Sequence, residues 1–438
     1  MLKTLSSFSS LYLAALLMML GSGLFNTYMG LRLTAQSVSA VWVGGLIAAY
    51  YLGLVCGARL GHKLIIRVGH IRAFTACAAV VTAMVLLQSL VDYAPAWIGF
   101  RLLSGVAMVT QFMVLESWLH EQTENRQRGR VFSFYMLVSN LGVVLGQFAL
   151  TFYTVLDLRP LIFVALATVL CLVPVAVTRR SHPPSPLPAP LDFKFFASRV
   201  PLSLTVLFVA GNLSGAFYGL APVYAVKVGL STPDVALFVA TGVTAGLCAQ
   251  FPIGWLSDRV NRAALLRFNA LLLCVLPALL WGMFALPFWA LIVLSAIFGT
   301  LQFTLYPLGA AFANDHVEPE RRVGLSAVLL MTYGVGACIG PLMAGALMTW
   351  GGPGMYYVFM SACSLILVWR VRPASVTNAH QAPDAPVQFV AMPEVLQSSP
   401  AAVALDPRVD LDTDVTMDGI AQPQDADTAS VPEDLPTR

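Results

Sequence analysis

The run ALFVATGVTAGLCAQFPI (236–253) passes without a break into GWLSDRVNR (Gly254–Arg262). The first stretch has no charged residue, and the second places Asp258, Arg259 and Arg262 within five positions. Eighteen uncharged residues suffice to cross a hydrocarbon core as a helix, and abrupt charge marks the exit from the bilayer. Outward from this junction the same pattern recurs along the chain. Of 438 residues, 58% are hydrophobic and 11% charged, against about 25% charged in a soluble domain. A water-soluble body of this size would need far more polar surface.

Twelve apolar spans are read, at 9–31, 41–58, 71–91, 95–118, 131–153, 160–178, 203–226, 234–254, 263–283, 287–311, 323–349 and 353–371. Backbone polar groups in lipid must be satisfied within the segment, so the spans are read as helices. An even number of spans puts both termini on one face. That face then holds Lys3, the segments 59–72, 126–130, 179–199, 259–267 and 321–322, and the tail, which together carry 21 of the 25 Lys and Arg residues. Arg32, Arg159 and Lys227 fall opposite, and Arg101 lies inside a span. The positive-inside rule makes the basic face cytoplasmic. The expected topology is multi-pass, with both termini cytoplasmic.

The seven cysteines all fall in or beside spans without paired spacing, which predicts packing residues and neither a disulfide framework nor a metal site. Residues 1–372 carry a net +12, whereas 373–438 carry −9 and are rich in Pro, Ala and Asp. That composition predicts a disordered acidic cytoplasmic tail. RRSHPPSPLPAPLDFKFF (179–196) is Pro-rich and reads as irregular linker. The expected organisation is a six-helix bundle over 1–178, a linker over 179–202, a second bundle over 203–372 and the tail over 373–438.

The bundles look duplicated. GHKLIIRVGHIR (61–72) follows span two as IGWLSDRVNRA (253–263) follows span eight, an offset of 192 residues. RGRVFSFYMLVSNLGVVLGQF (128–148) resembles RRVGLSAVLLMTYGVGACIGPL (321–342) at an offset of 194, with Gly142 and Gly146 matching Gly336 and Gly340. The expected fold is therefore an all-α integral membrane protein of twelve transmembrane helices in two six-helix pseudo-repeats. Repeats of this kind hold a solute site at their interface near mid-bilayer and work by rocking of one half against the other.

GWLSDRVNR resembles the loop signature of the major facilitator superfamily, which that family carries after span two and more weakly after span eight. Here the pattern is inverted. The second copy keeps Gly254, Asp258, Arg259 and Arg262, with Asn261 where glycine is usual. The first keeps Arg67 and Gly69, but Ile66 replaces the aspartate and His62 the first glycine. WIGFRLLSGVAM (97–108) has Arg101 and Gly105 at the family's spacing. LESWLHEQTENRQRGR (115–130), YGLAPVY (218–224) and TLYP (304–307) are similar to the YcaD-like bacterial subfamily. The resemblance covers residues 5–372 and implies a transporter.

In that frame the charged loop acts as a latch. Asp258 is expected to face the positive N-terminal end of span five near Arg130, with Gly254 allowing close helix approach. Such contacts would favour the outward-open state by ~1–3 kcal/mol, a shift of about 5- to 150-fold. The alternative is a solvated turn that fixes topology. Glu116 is expected to meet Arg67 or Arg130 in place of the missing acid, and its counterpart Asp315 to lie near Arg259 or Arg322.

Charged groups at membrane depth cost roughly 2.5–3.5 kcal/mol on insertion scales and are functional candidates. Arg101 forms a stripe with Ser104, Met108 and Gln111, to hold an anionic solute group, to modulate a proton site or to bond carbonyls of span one structurally. Ser22 with Asn26 and Ser214 with Tyr218 are matching i, i+4 pairs on spans one and seven, each sharing a face. Gln302 with Tyr306 on span ten, and Asn140 with Gln147 on span five, complete the cavity candidates. Hydrogen bonding between helices is the competing role for each.

Family habit points to proton-linked transport, with facilitated diffusion as the alternative, because no acid lies deep in spans one, five, seven, eight, ten or eleven. The antiporter-type Gly-Pro pair is absent from span five (Gly146–Gln147) and appears instead in span eleven (Gly340–Pro341). The expected partners are a small-molecule solute and the lipid bilayer, with no nucleic acid, no cofactor and no metal, in a monomer. No HExxH, P-loop or Ser/His/Asp set points to an enzyme. The competing class is a sensor or interaction protein built on a transporter-like body, with the tail as its working end.

Overall fold

The computed structural model describes residues 8–91, 93–123, 127–153, 155–177, 192–281 and 286–372, with 381–382, 385–390, 398–399 and 401–402 of the tail. Among the described residues, eleven helices are long and apolar enough to cross a membrane: α1 (Ser9–Ala35), α2 (Ala40–Val68), α3 (His70–Leu90), α4 (Ala94–His120), α5 (Arg128–Phe152), α6 (Arg159–Ala176), α7 (Pro201–Lys227), α8 (Thr232–Ser257), α9 (Arg262–Leu280), α10 (Phe288–Asn314) and α11 (Arg322–Gly351). The shorter apolar helix α12 (Met355–Arg370) completes the set. At 1.5 Å per residue its sixteen residues span about 24 Å.

Most boundaries shift by a few residues from the sequence reading, and two differences are larger. α2 runs ten residues beyond the expected end at 58 and stops at Gly69, whose φ of +83° no helix continues. Arg59, Lys63 and Arg67 are polar without being helix breakers, so the helix continues into the headgroup zone. The linker is also not wholly irregular. Phe193–Arg199 forms a short helix because Asp192 accepts a hydrogen bond from the Phe195 N–H at 3.1 Å. Arg199 fastens that helix to the α10–α11 connection, donating to the His316 carbonyl at 3.0 Å and to Glu318 at 2.8 Å.

The duplicated sequence gives duplicated packing. α1 packs on α5 as α7 packs on α11, and α2 on α4 as α8 on α10. Gly142 and Gly146 press against α1 at the Leu16 and Leu20 carbonyls. Gly336 and Gly340 press against α7 at the Phe208 and Asn212 carbonyls, which are the same positions 192 residues on. No Cβ fits at any of the four. Lipid supplies no hydrophobic drive between helices, so this backbone-to-backbone contact supplies the packing.

Across the halves, packing runs chiefly through α2–α11, α5–α8, α1–α7 and α2–α7. The named contacts cluster toward the face opposite the basic one. Gly44 abuts the Pro341 backbone, Gly345 abuts Ala40 and Val41, and Gly30 abuts Pro222. The Val41 N–H donates to Thr349 Oγ1 at 3.3 Å. The halves are thus sealed at that face.

On the basic face, most of the tail expected to be disordered lies outside the described residues, and the few that are described make specific contacts. They are bonded to side chains near helix ends in both halves. Ser398 and Ser399 reach Glu116 on α4, while Val387 and Phe389 reach Asp315 and Asp258 at the ends of α10 and α8. Backbone N–H groups make several of these bonds, so an acidic, Pro-rich composition does not prevent them.

Candidate functional site

The interior holds a buried guanidinium. α1 and α4 cross so that Arg101 Nη2 donates to Asn26 Oδ1 at 2.7 Å. The Phe25 and Tyr50 rings flank the guanidinium with centroids at 4.8 and 4.6 Å. Arg101 is 2% exposed and Asn26 likewise 2%. No carboxylate pairs with Arg101 among the described residues. Rings and a neutral amide disperse the charge without cancelling it. At 1.5 Å per residue, Arg101 lies about 10 Å along α4 from its start, beneath the sealed face.

The expected stripe on α4 holds only in part. Gln111 turns toward Cys171 on α6, inside its own half, with an Sγ to Oε1 distance of 3.9 Å. Ten residues make about 2.8 turns, which leaves Gln111 about 80° around the helix from Arg101. Ser104 bonds its own helix at the Phe100 carbonyl.

Gln147 is tied to α1, where Thr27 Oγ1 donates to its Oε1 at 2.6 Å; its Nε2 has no partner among the described residues. Asn140, on the same helix, keeps a buried Oδ1 without one. Ser22 and Ser214 are buried at matching places on α1 and α7. Tyr218 packs on Phe217 and Phe303 at ring distances of 5.7 and 5.8 Å, and Tyr306 meets Tyr333 of α11 edge-on at 5.1 Å. Gln302 is 1% exposed, with neither amide atom partnered among the described residues. Each such atom costs about 1–3 kcal/mol unless something meets it. Phe25, Tyr50 and Thr27 are not among the sequence-level candidates. For the two rings the available signal is aromatic: Tyr50 sits in a stretch of small and aliphatic residues, IAAYYLG (47–53).

The basic-face residues form a second group. Arg262 starts α9 and reaches both neighbouring helix ends. Its Nη1 lies 2.6 Å from each oxygen of Asp315, and its Nη2 lies 2.7 Å from Asp258 Oδ1. Nη2 also donates to the Val387 carbonyl. Asp315 therefore pairs with Arg262; of its two expected neighbours, Arg259 folds back over Trp255, its carbon 3.9 Å from the ring centroid, while Arg322 does lie close by, donating to the adjacent Asn314 carbonyl at 3.4 Å. The expected contact of Asp258 with α5 is replaced by Arg262 and the Phe389 N–H, the latter at 3.0 Å. Gly254 admits the Phe389 ring rather than another helix. Arg67 and Arg130 are exposed.

Glu116 is completely buried and pairs with neither of the arginines expected for it. It accepts from Ser398 Oγ at 2.9 Å, from the Ser399 N–H at 3.1 Å and from Ser399 Oγ, with Tyr135 Oη at 3.5 Å. The reason is common to Asp258 and Glu116. Described tail residues occupy both, the Phe389 N–H on Asp258 and Ser398 with Ser399 on Glu116.

A twelve-helix membrane protein in two matched halves, with polar groups buried between helices, has the build of a secondary transporter. The sequence profile of the Major Facilitator Superfamily matches residues 11–280 and, overlapping, 234–405. The chain belongs to that superfamily. It is 28% identical to an uncharacterized MFS-type transporter of Yersinia enterocolitica over 354 residues, 80% of this chain and 91% of the relative. The same identity holds to the uncharacterized MFS-type transporter YcaD of Escherichia coli over 357 residues, with the same coverage. Among solved structures, a bacterial homologue of the human lysosomal transporter Spinster superposes with a TM-score of 0.72 at 15% identity, over 86% of this chain and 98% of its own. The nucleoside transporter NupG gives 0.66 at 15% identity, covering 83% of this chain and 97% of its own. At that identity the likeness is one of fold.

Proposed function

We propose that this transporter carries a small organic solute with an anionic group and an apolar or aromatic part across the bacterial inner membrane. The basic face, with both termini, is taken as cytoplasmic from the distribution of Lys and Arg. Residues 1–178 and 203–372 rock as two bodies about a shared site, joined by 179–202. The observation that carries the reading is Arg101: a buried cation, held by a neutral amide and two rings, with no carboxylate among the described residues. An anionic solute group would supply the missing countercharge. Ser22, Asn26, Asn140, Gln147, Ser214, Tyr218, Gln302 and Tyr306 are assigned to the same site, the unpartnered Gln302 amide facing the polar end of the solute and Tyr218 and Tyr306 its apolar part. Gln111 is left out, since it turns toward α6.

Asp258, Arg262, Asp315 and Glu116 are assigned to the cytoplasmic gate, with Arg67, Gly69, Arg130, Gly254 and Arg259 around them. The structure's seal at the other face supports reading it as the inward-facing state, in which the latch is open. Proton linkage is kept as the family's habit. Flux of organic anions into proteoliposomes, with and without a pH gradient, tests both parts. Accelerated flux that is lost in Arg101→Gln supports the site, and equal flux with and without the gradient removes proton coupling. Flux equal in Arg101→Gln and wild type overturns the assignment of Arg101.

A further inference from the structure

The gate residues are also a receptor for the chain's own tail. Most of the bonds that tie described tail residues to gate side chains are accepted by carboxylates of the body, on both halves, and tail backbone N–H groups are among the donors. Val387 N–H donates to Asp315 Oδ1 at 2.8 Å, Phe389 N–H to Asp258 Oδ1 at 3.0 Å, and Ser399 N–H to both oxygens of Glu116 at 3.1 Å. Ser398 and Ser399 add their hydroxyls on Glu116, and Arg262 takes the Val387 carbonyl. Further back, the Ala382 N–H donates to the Asp315 carbonyl at 2.8 Å. The Phe389 ring lies on Gly254, where any side chain would displace it. Glu116 and Asp315 stand near the basic ends of α4 and α10, and each holds its own stretch of tail. The two described segments therefore take up groups of different halves at the basic face, 385–390 on the second and 398–399 on the first.

We infer that the tail segments 385–390 and 398–399 form a plug and wedge in the cytoplasmic mouth. The plug competes with gate closure, because the groups that must approach one another in the outward-facing state are the groups that hold it. With the tail docked, solute is kept from the site and the halves are kept apart. With it released, both entry and rocking resume. The net charges of body and tail, +12 and −9, draw the tail toward the basic face before the specific bonds form. This regulatory consequence rests on the transport reading; the docking does not.

Hydrogen–deuterium exchange on the full-length protein in nanodiscs, joined to cysteine labelling, tests it. The amides of Val387, Phe389 and Ser399 should be protected, and the double variant Phe389→Ala/Ser399→Ala, which leaves the body untouched, should lose that protection. In a background without native cysteines, Gln302→Cys in inside-out vesicles should react with an impermeant maleimide about tenfold faster once residues 381–438 are removed or the double variant is introduced, the ratio that ~1.4 kcal/mol of docking produces. Tail amides exchanging at unprotected rates would overturn the proposal. So would protected amides with an unchanged labelling rate. If labelling is gated while neither the full nor the truncated chain moves organic anions, the plug stands and the transport reading falls.

Discussion

Arg101 in the first half and Arg262 in the second are both buried guanidinium groups, at 2% and 5% exposure, yet their surroundings are opposite. Arg262 is chelated by Asp315 and Asp258 and closes the junction of α8, α9 and α10. Arg101 meets an amide and two rings, with no acid among the described residues. A buried cation with its own carboxylates is part of the architecture, and removing it strands two negative charges. A buried cation without them can serve as a ligand group, and its removal leaves no charge behind.

The comparison orders the expected effects. Arg262→Gln should cost about 3–5 kcal/mol, seen as a large fall in Tm in detergent, because Asp315 and Asp258 lose their counterion. A double-mutant cycle of Arg262→Gln with Asp315→Asn should then return a coupling of about 2–3 kcal/mol, as for groups in one ionic network. The parallel cycle of Arg101→Gln with Asn26→Ala should return about 0.5–1.5 kcal/mol, the worth of one hydrogen bond. Arg101→Gln alone should leave stability within about 1 kcal/mol of wild type while removing solute binding. Of similar size in stability, but without effect on solute binding, is Arg259→Ala, where an exposed cation over the Trp255 ring contributes about 0.5–1 kcal/mol. A stability loss for Arg101→Gln as large as that for Arg262→Gln would erase the contrast.

The spans and the duplication are legible in sequence because both depend on local pattern. Apolar length marks the helices, and the 194-residue offset marks Gly142 and Gly146 against Gly336 and Gly340, which do make equivalent contacts. The end of α2 is not legible from charge, since Arg59, Lys63 and Arg67 continue the helix and only Gly69 breaks it. Asn26 and Arg101 both stand out as isolated polar groups at membrane depth, but their contact and the Tyr50 ring beside them depend on how three helices cross. The partners of Glu116, Asp258 and Asp315 escape the sequence for a different reason. Family loops lead toward arginines on neighbouring helices, while several of the actual donors are backbone N–H groups of the tail. Every residue but proline carries such a donor, so sequence gives no sign of which ones dock.

Thermal shift of the purified protein with a panel of amphipathic carboxylates, each paired with its uncharged amide, tests the role of Arg101 most directly. A carboxylate present at about 100 times its Kd should stabilise the wild type by about 2.7 kcal/mol, its amide should do far less, and Arg101→Gln should respond to neither. Carboxylates that stabilise Arg101→Gln as much as the wild type, or amides that match them, would contradict the claim that this buried cation awaits an anionic solute.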